Sequence, residues 1–155
     1  MSSTDHVTIA DRVIAEFNRG DWGQLTDIFA PDITYSETGT GRTVKGADPY
    51  IELLQGWRHV FPDCTGTIHA TVAQGDTVVH EVTWEGTQAA ALPTPGGEVP
   101  NTGRRLNVAA TLWYTLAGGR VAAIRHHLDM LTLLQQLGAF EQAPTRDDSA
   151  ASVGA

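Results

Sequence analysis

The stretch between residues 120 and 138 holds the densest group of side chains that can exchange protons. The group consists of Arg125, His126, His127 and Asp129. The first half of the stretch alternates in polarity, which predicts a strand, and the second half carries leucines at helical spacing before a glycine. Because successive side chains of a strand point to opposite faces, Arg125, His127 and Asp129 share one face of the sheet. His126 lies on the opposite face.

Asp129 stands where the strand ends and the helix begins, and two roles suit an aspartate there. Aspartate is a preferred N-cap, because its carboxylate accepts hydrogen bonds from free backbone N–H groups of the first helical turn. A carboxylate that faces an apolar cavity instead has its pKa raised by desolvation, which makes it a usable base near neutral pH. His127 likewise has two possible roles. It shares a proton with Asp129, or its ring hydrogen-bonds a backbone carbonyl or lies on the outer face of the sheet.

Length and charge narrow the classes of protein. The chain has 155 residues, which suits one domain with a sizeable core. Eighteen acidic residues stand against ten Lys and Arg, and no basic run exists, so we expect no nucleic-acid partner. No apolar stretch approaches a membrane span, and the first residues lack the basic and apolar parts of a signal peptide. These features predict a cytoplasmic enzyme or binding protein with no membrane partner.

A metal site is not expected. Cys64 is the only cysteine, which excludes an intrachain disulfide and a thiolate metal cluster. His126 and His127 are adjacent on a predicted strand and point to opposite faces, and no cluster of cysteines or carboxylates completes a ligand shell.

Hydrophobic periodicity predicts an α+β domain. Apolar residues recur first at helical spacing, then alternate in a run of strands, and return to helical spacing at the end. The predicted helices cover 4–19, 22–29, 48–61 and 130–137, and the predicted strands cover 33–37, 65–72, 77–87, 105–116 and 120–128. This order favours a curved sheet with helices on one face and a pocket between them. We expect one domain over 1–140 and a flexible tail over 141–155.

Several further residues are candidates for binding a ligand. Trp57, Trp84 and Trp113 are large, flat apolar groups that suit a polycyclic aromatic molecule, and each is equally suited to an ordinary core. His80 lies among apolar residues of a predicted strand, which fits a pocket histidine as well as a core or interface one. The loop 89–103 is rich in Pro and Gly, and we expect it to cover the mouth of the pocket.

Five short motifs, in order along the chain, resemble those of SnoaL-like polyketide cyclases. They are Phe61-Pro62-Asp63 after the third helix, Gly75-Asp76-Thr77-Val78 in a hairpin, Pro93 through Gly103-Arg104 before a strand, Tyr114 through Gly119-Arg120-Val121 around a turn, and Asp129 through Gly138 in the closing helix. The resemblance covers roughly residues 8 to 138. It implies the cone-shaped nuclear-transport-factor-2-like fold, in which a curved antiparallel sheet packs against three N-terminal helices and a short C-terminal helix follows.

The resemblance also implies a small, cofactor-independent enzyme that cyclises a polyketide-like small molecule. In such cyclases an aspartate of the closing strand is acid and base for an intramolecular aldol closure, and Asp129 matches it. We therefore expect Asp129 to face the cavity with His127 as its partner. The family's own partner histidine aligns near Thr115. Arg125 then either neutralises an enolate or pairs with an acid.

Tyr35 and Glu37 close the predicted strand 33–37 and join the candidate substrate-binding residues. In ketosteroid isomerases, which share the implied fold, a base occupies about the position that Glu37 matches. The alternative for Glu37 is a solvated side chain at the edge of a loop.

Other functions fit the same features. Relatives with this fold include polyketide hydroxylation components and epoxide hydrolases or epoxide-opening cyclases, in which a carboxylic acid and a base flank one water or hydroxyl. A non-catalytic protein that binds a small molecule in the pocket is the remaining alternative. In each case we expect a homo-oligomer, a dimer or tetramer, because the outer face of strands 77–87 and 105–116 carries apolar residues.

Overall fold

The structure is a computed structural model that describes residues 1–141, so the predicted tail, apart from Glu141, lies outside the described residues. The helices are α1 (Ser3–Arg19), α2 (Trp22–Ile28), α3 (Ala47–Val60) and α4 (Met130–Gln136). The strands are β1 (Phe29–Glu37), β2 (Thr43–Lys45), β3 (Thr65–Gln74), β4 (Thr77–Thr87), β5 (Leu92–Thr94), β6 (Gly97–Val99), β7 (Arg105–Ala117) and β8 (Arg120–Leu128). The predicted α+β order of elements is confirmed.

Local capping sets the first two helices. The Ser2 hydroxyl accepts a hydrogen bond from the Asp5 N–H, and the Asp5 carboxylate accepts one from the Ser2 N–H, which forms a capping box. Gly20 ends α1 in the left-handed conformation with φ 68°, which glycine adopts without steric cost. The Asp21 side chain then accepts a hydrogen bond from the Gln24 N–H and caps α2.

The chain enters β1 earlier than the sequence predicts. α2 ends at Ile28, so Pro31 lies inside a strand instead of just beyond a helix. β1 pairs with β8 at Phe29 and again from Thr34, and the register shifts between these two points. Proline fits such an irregular stretch because it has no N–H to contribute to the ladder.

The main sheet has six strands in the order β2-β1-β8-β7-β4-β3. The described strands pair in antiparallel fashion except β1 and β8, which run parallel. In that parallel pair Tyr35 lies opposite Ile124 and Glu37 lies opposite His126. The end of β1 is therefore fixed beside the end of β8, and this juxtaposition positions the site.

The helices cover one face of the sheet. On β7 the even-numbered residues from Leu106 to Leu116 are buried, and β4 has the same parity from Val78 to Trp84. The apolar side chains among them share one core cluster with Ile14 and Phe17 of α1 and Tyr50 of α3. Within residues 1–141, no helix combines the length and apolar character needed to cross a membrane.

Candidate active site

A cavity of about 320 Å³ lies between the inner face of the sheet and helices α1 and α3. Its lining is mostly apolar and includes Phe17, Leu53, Leu54, Trp57 and Leu112. Cavities of this size with an apolar wall and a few polar groups are typical of small-molecule sites. The polar groups here are concentrated where β1 and β8 end side by side.

These groups form what we call the acid–base cluster: Tyr35, Glu37, Thr40, Trp84 and His126. The Tyr35 hydroxyl donates to Glu37 Oε2 at 2.5 Å, and the Thr40 hydroxyl donates to Glu37 Oε1 at 2.7 Å. His126 Nδ1 lies 2.9 Å from the Tyr35 oxygen. The indole N–H of Trp84 donates to His126 Nε2 at 3.1 Å. All five side chains line the cavity.

The Trp84 contact determines which nitrogen of His126 carries the proton. An indole N–H can only donate, so His126 Nε2 must accept and the ring proton sits on Nδ1. Nδ1–H then donates to the Tyr35 oxygen, and the Tyr35 hydroxyl donates onward to Glu37. Every hydrogen bond of this chain therefore runs toward the Glu37 carboxylate.

Burial keeps the donors of the cluster in their neutral forms. It lowers the pKa of His126 from 6.5 to about 4, against the opposing effect of the Glu37 charge, so the imidazole is neutral at pH 7. Burial also raises the pKa of Tyr35 well above its usual value, and nearby Tyr50 and Glu37 add to the shift. Tyr35 stays protonated and stacks on Tyr50, with ring centroids 4.5 Å apart. The cluster thus holds one carboxylate supported by neutral donors.

The expectation that Asp129 and His127 face this cavity is wrong. Both side chains are exposed and border a separate open depression with Thr111 and Glu81. The Asp129 carboxylate accepts hydrogen bonds from the Thr132 N–H at 3.1 Å and the Thr132 hydroxyl at 2.7 Å, so it caps α4. The Thr132 hydroxyl and backbone hydrogen bonds lower the pKa of Asp129, opposite to the shift that a buried base needs.

We expect replacing Asp129 by asparagine to reduce stability slightly and to leave chemistry in the cavity unchanged. Asparagine caps helices nearly as well as aspartate but carries no charge for the helix N-terminus. A small fall in Tm, with a catalytic rate within about twofold of the parent, is the expected result. A rate loss of ~10² or more in a folded variant would restore Asp129 as the base.

The other predicted ligand-binding residues divide between the cavity and the rest of the molecule. Tyr35, Glu37, Trp57 and Trp84 line the cavity. Trp113 and Arg125 lie on the outer face of the sheet, where the guanidinium carbon sits 5.0 Å from the indole centroid. Strand parity explains their placement, because the side chains facing the cavity from β7 and β8 are the even-numbered Leu112, His126 and Leu128.

His80 belongs to the core and does not reach the cavity. It is fully buried, with Nδ1 3.1 Å from the Tyr114 hydroxyl and Nε2 2.9 Å from Asp11 Oδ1. Desolvation lowers its pKa, although the Asp11 hydrogen bond opposes that shift. His80 therefore joins α1 to the sheet as a hydrogen-bonded core residue.

The site predicted from the sequence does not include His126, Tyr50 or Arg42, and all three line the cavity. Strand alternation already separated His126 from His127, so the signal for an inward histidine was available. Nothing in the sequence indicated which of the two faces the helices would cover. Among the described residues, no group of three or more His, Cys, Asp or Glu is placed to hold a metal ion.

The segment 89–103, which the sequence predicts to cover the mouth of the pocket, contributes residues to the cavity wall. It contains the hairpin of β5 and β6, and Ala91, Leu92 and Pro93 form part of the cavity lining. Leu92 is buried, so this segment closes one side of the apolar wall.

Gln88 holds this segment in place. Its side-chain amide donates to the carbonyls of Ala90, Val99 and Pro100 at 3.1 to 3.3 Å. Its side-chain oxygen accepts from the N–H and the hydroxyl of Thr102, both at 3.1 Å. Because Gln88 is buried and fully bonded, the base of the loop is fixed independently of the hairpin tip.

Deleting Thr94–Glu98 is expected to weaken ligand binding more than folding. The deletion removes the hairpin tip while leaving Gln88 and its anchoring carbonyls, so Leu92 and Pro93 lose their support. We expect the Kd of a planar aromatic ligand to rise about tenfold with little change in Tm. Fluorescence titration and thermal unfolding of the same samples measure both effects, and a large fall in Tm would identify the tip as structural.

Comparison with known proteins places the chain in a family. The family model of SnoaL-like polyketide cyclases matches residues 8–137. The chain belongs to this family. No curated protein shows significant similarity to the chain.

Solved structures of similar length share the fold of this SnoaL-like protein. A candidate SnoaL-like polyketide cyclase from Jannaschia sp. CCS1 matches with a TM-score of 0.78 and 23% identity, covering 88% of this chain and 94% of that one. IdmH, a candidate polyketide cyclase from Streptomyces antibioticus, matches with a TM-score of 0.73 and 26% identity, covering 86% and 98%. AclR, a candidate hydroxylase from Streptomyces galilaeus, matches with a TM-score of 0.75 and 22% identity, covering 89% and 98%. The predicted nuclear-transport-factor-2-like fold is confirmed.

Proposed function

We propose that this protein catalyses an intramolecular aldol cyclisation of a polyketide-like substrate, with Glu37 as the general base. The observation that carries the proposal is a carboxylate held by two hydroxyl donors at the wall of a mostly apolar cavity. Family membership supports the reaction class. The geometry supports Glu37 in the role that the sequence assigns to Asp129.

The reaction follows from what these side chains can do. Glu37 removes a proton from a carbon alpha to a substrate carbonyl, and the electron pair passes into an enolate. The enolate carbon attacks a second carbonyl of the same molecule, so a carbon–carbon bond forms and an alkoxide appears. The alkoxide takes the proton back from Glu37. Glu37 carries the proton from the alpha carbon to the alkoxide, so atoms and charge balance without a cofactor.

The acid–base cluster holds Glu37 in a fixed orientation for proton transfer. The Tyr35 and Thr40 hydroxyls fix the orientation of both carboxylate oxygens. The carboxylate therefore loses less entropy when it reaches the geometry that proton transfer requires. Trp84 and His126 fix Tyr35 in turn. The apolar walls exclude water and hold a flat substrate against the carboxylate.

Deuterium exchange at the alpha carbon of 2-tetralone tests the first step directly. In D₂O, proton NMR should show exchange that saturates with probe concentration and exceeds that of equimolar acetate by ~10² or more. Quenching of tryptophan fluorescence, to which Trp57 and Trp84 in the cavity contribute, reports binding of the probe. Exchange no faster than acetate from a bound probe would favour a non-catalytic binding protein.

A further inference from the structure

Arg42 stands at the mouth of the cavity beside the acid–base cluster. Its side chain lines the cavity and is exposed, so it occupies the border between the apolar interior and water. Its backbone is tied to the cluster: its carbonyl accepts from the Glu37 N–H at 2.9 Å, and its N–H donates to the Thr40 hydroxyl at 3.2 Å. A short turn therefore holds the backbone of Arg42 beside Glu37, and the Arg42 side chain extends along the cavity wall from there.

The charge at this position is distinctive within the part of the chain that the structure describes. Arg42 is the only Lys or Arg that lines the cavity, and Glu37 is the only acidic residue there. Among the described residues, the Arg42 guanidinium forms no ion pair and no hydrogen bond with another side chain. Only the backbone N–H of Arg42 bonds to a side chain, that of Thr40. The donors of the guanidinium are thus available to a ligand.

The chemistry of these donors indicates the group they take. A guanidinium presents a planar fork of N–H groups that matches a carboxylate in bidentate geometry. The protein carries a formal charge of −8, so most of its surface repels an anion and the Arg42 position is a favourable exception at this opening. If the apolar end of a flat ligand enters the cavity first, its carboxylate remains at Arg42 and its apolar body lies against Trp57.

We propose that Arg42 anchors a carboxylate of the substrate, so that the cavity prefers a polyketide acid to the corresponding neutral ester or amide. This inference rests on the proposed function only for the substrate's polyketide character. The anchoring itself is a binding property of the cavity. It fixes which end of the substrate faces the solvent, and hence which alpha carbon reaches Glu37.

The test compares two planar probes that differ in one charge, anthraquinone-2-carboxylate and anthraquinone-2-carboxamide. Tryptophan fluorescence titration at low ionic strength should show the carboxylate binding about tenfold more tightly than the carboxamide, as charge-assisted hydrogen bonds require. In Arg42→Gln the preference should fall below about twofold. Arg42→Lys, which keeps the charge but loses the fork, should keep part of it.

A matched variant separates a local contact from the general field of the protein. Arg120→Gln removes the same charge from an exposed arginine at the start of β8, outside the cavity. It should retain the full preference for the carboxylate probe. Equal affinities in the parent protein, a preference that survives Arg42→Gln, or an equal loss in Arg120→Gln would each overturn the proposal. Because the readout is binding, a failed exchange assay would reject Glu37 catalysis without affecting this result.

Discussion

Replacing Glu37 by glutamine should lower kcat/KM by ~10²–10⁴, the range that a general base typically contributes. Glutamine has the same shape and still offers an oxygen to Tyr35 or Thr40, so the cavity should remain intact. It cannot take a proton from carbon. The loss should therefore appear in kcat, while KM stays within a few-fold, because the carboxylate acts on the transition state more than on binding.

Asp129→Asn is the matched control for this experiment, since it removes a carboxylate charge at the position that the sequence resemblance favours. Steady-state rates of alpha-proton exchange and circular dichroism are measured for both variants. A large loss in Glu37→Gln with a near-normal rate in Asp129→Asn supports the cavity base. The reverse pattern would return the chemistry to the end of β8.

Replacing His126 by glutamine should remove a large part of the acid sensitivity of folding. In the unfolded chain this histidine has an ordinary pKa of 6.5, whereas burial lowers the folded value to about 4. Between these two pH values the unfolded state binds a proton that the folded state does not, so the free energy of unfolding decreases as pH falls. At about 1.4 kcal/mol per pH unit, the loss from pH 6.5 to pH 4 is about 3 kcal/mol.

Urea unfolding of the parent and His126→Gln across this pH range measures the effect. The variant is less stable at pH 7, because it replaces the ring that bonds Tyr35 and Trp84, so the difference in slope is the relevant quantity. His80, whose pKa burial also lowers, is present in both proteins and cancels in the comparison. Parallel pH profiles would mean that His126 is protonated in the folded state at mildly acidic pH.

Local signals account for most of the predicted elements. β4 and β8 have the predicted bounds, and Gly20 and Asp21 end α1 and begin α2 as capping chemistry requires. The predicted helix 22–29 and strand 33–37 leave Pro31 between them, because a proline after an apolar run usually follows the end of a helix. Here the interruption falls in a strand at a register shift, and only the pairing of β1 with β8 reveals that position.

The candidate site was less predictable, for a physical reason. Alternation assigns His126 and His127 to opposite faces, but the face that becomes the interior depends on where the helices pack. For Asp129 the sequence offered two roles, and the prediction followed its resemblance to a catalytic aspartate. The two hydrogen bonds that its carboxylate accepts from Thr132 identify it as a helix cap. Glu37 carried a positional resemblance to an isomerase base, and its partners become visible only once β1 lies against β8.

The parallel pairing of β1 with β8 has a consequence for how the protein folds. Tyr35 and His126 are 91 residues apart along the chain, so their contact closes one of the longest loops in the molecule. Contacts between distant residues are slow to form, because the chain loses much entropy before they stabilise it. The hairpins β3–β4 and β7–β8 can assemble from neighbouring segments. Glu37 and the imidazole of His126 come together only when β1 docks on β8, so we expect the acid–base cluster to form late in folding.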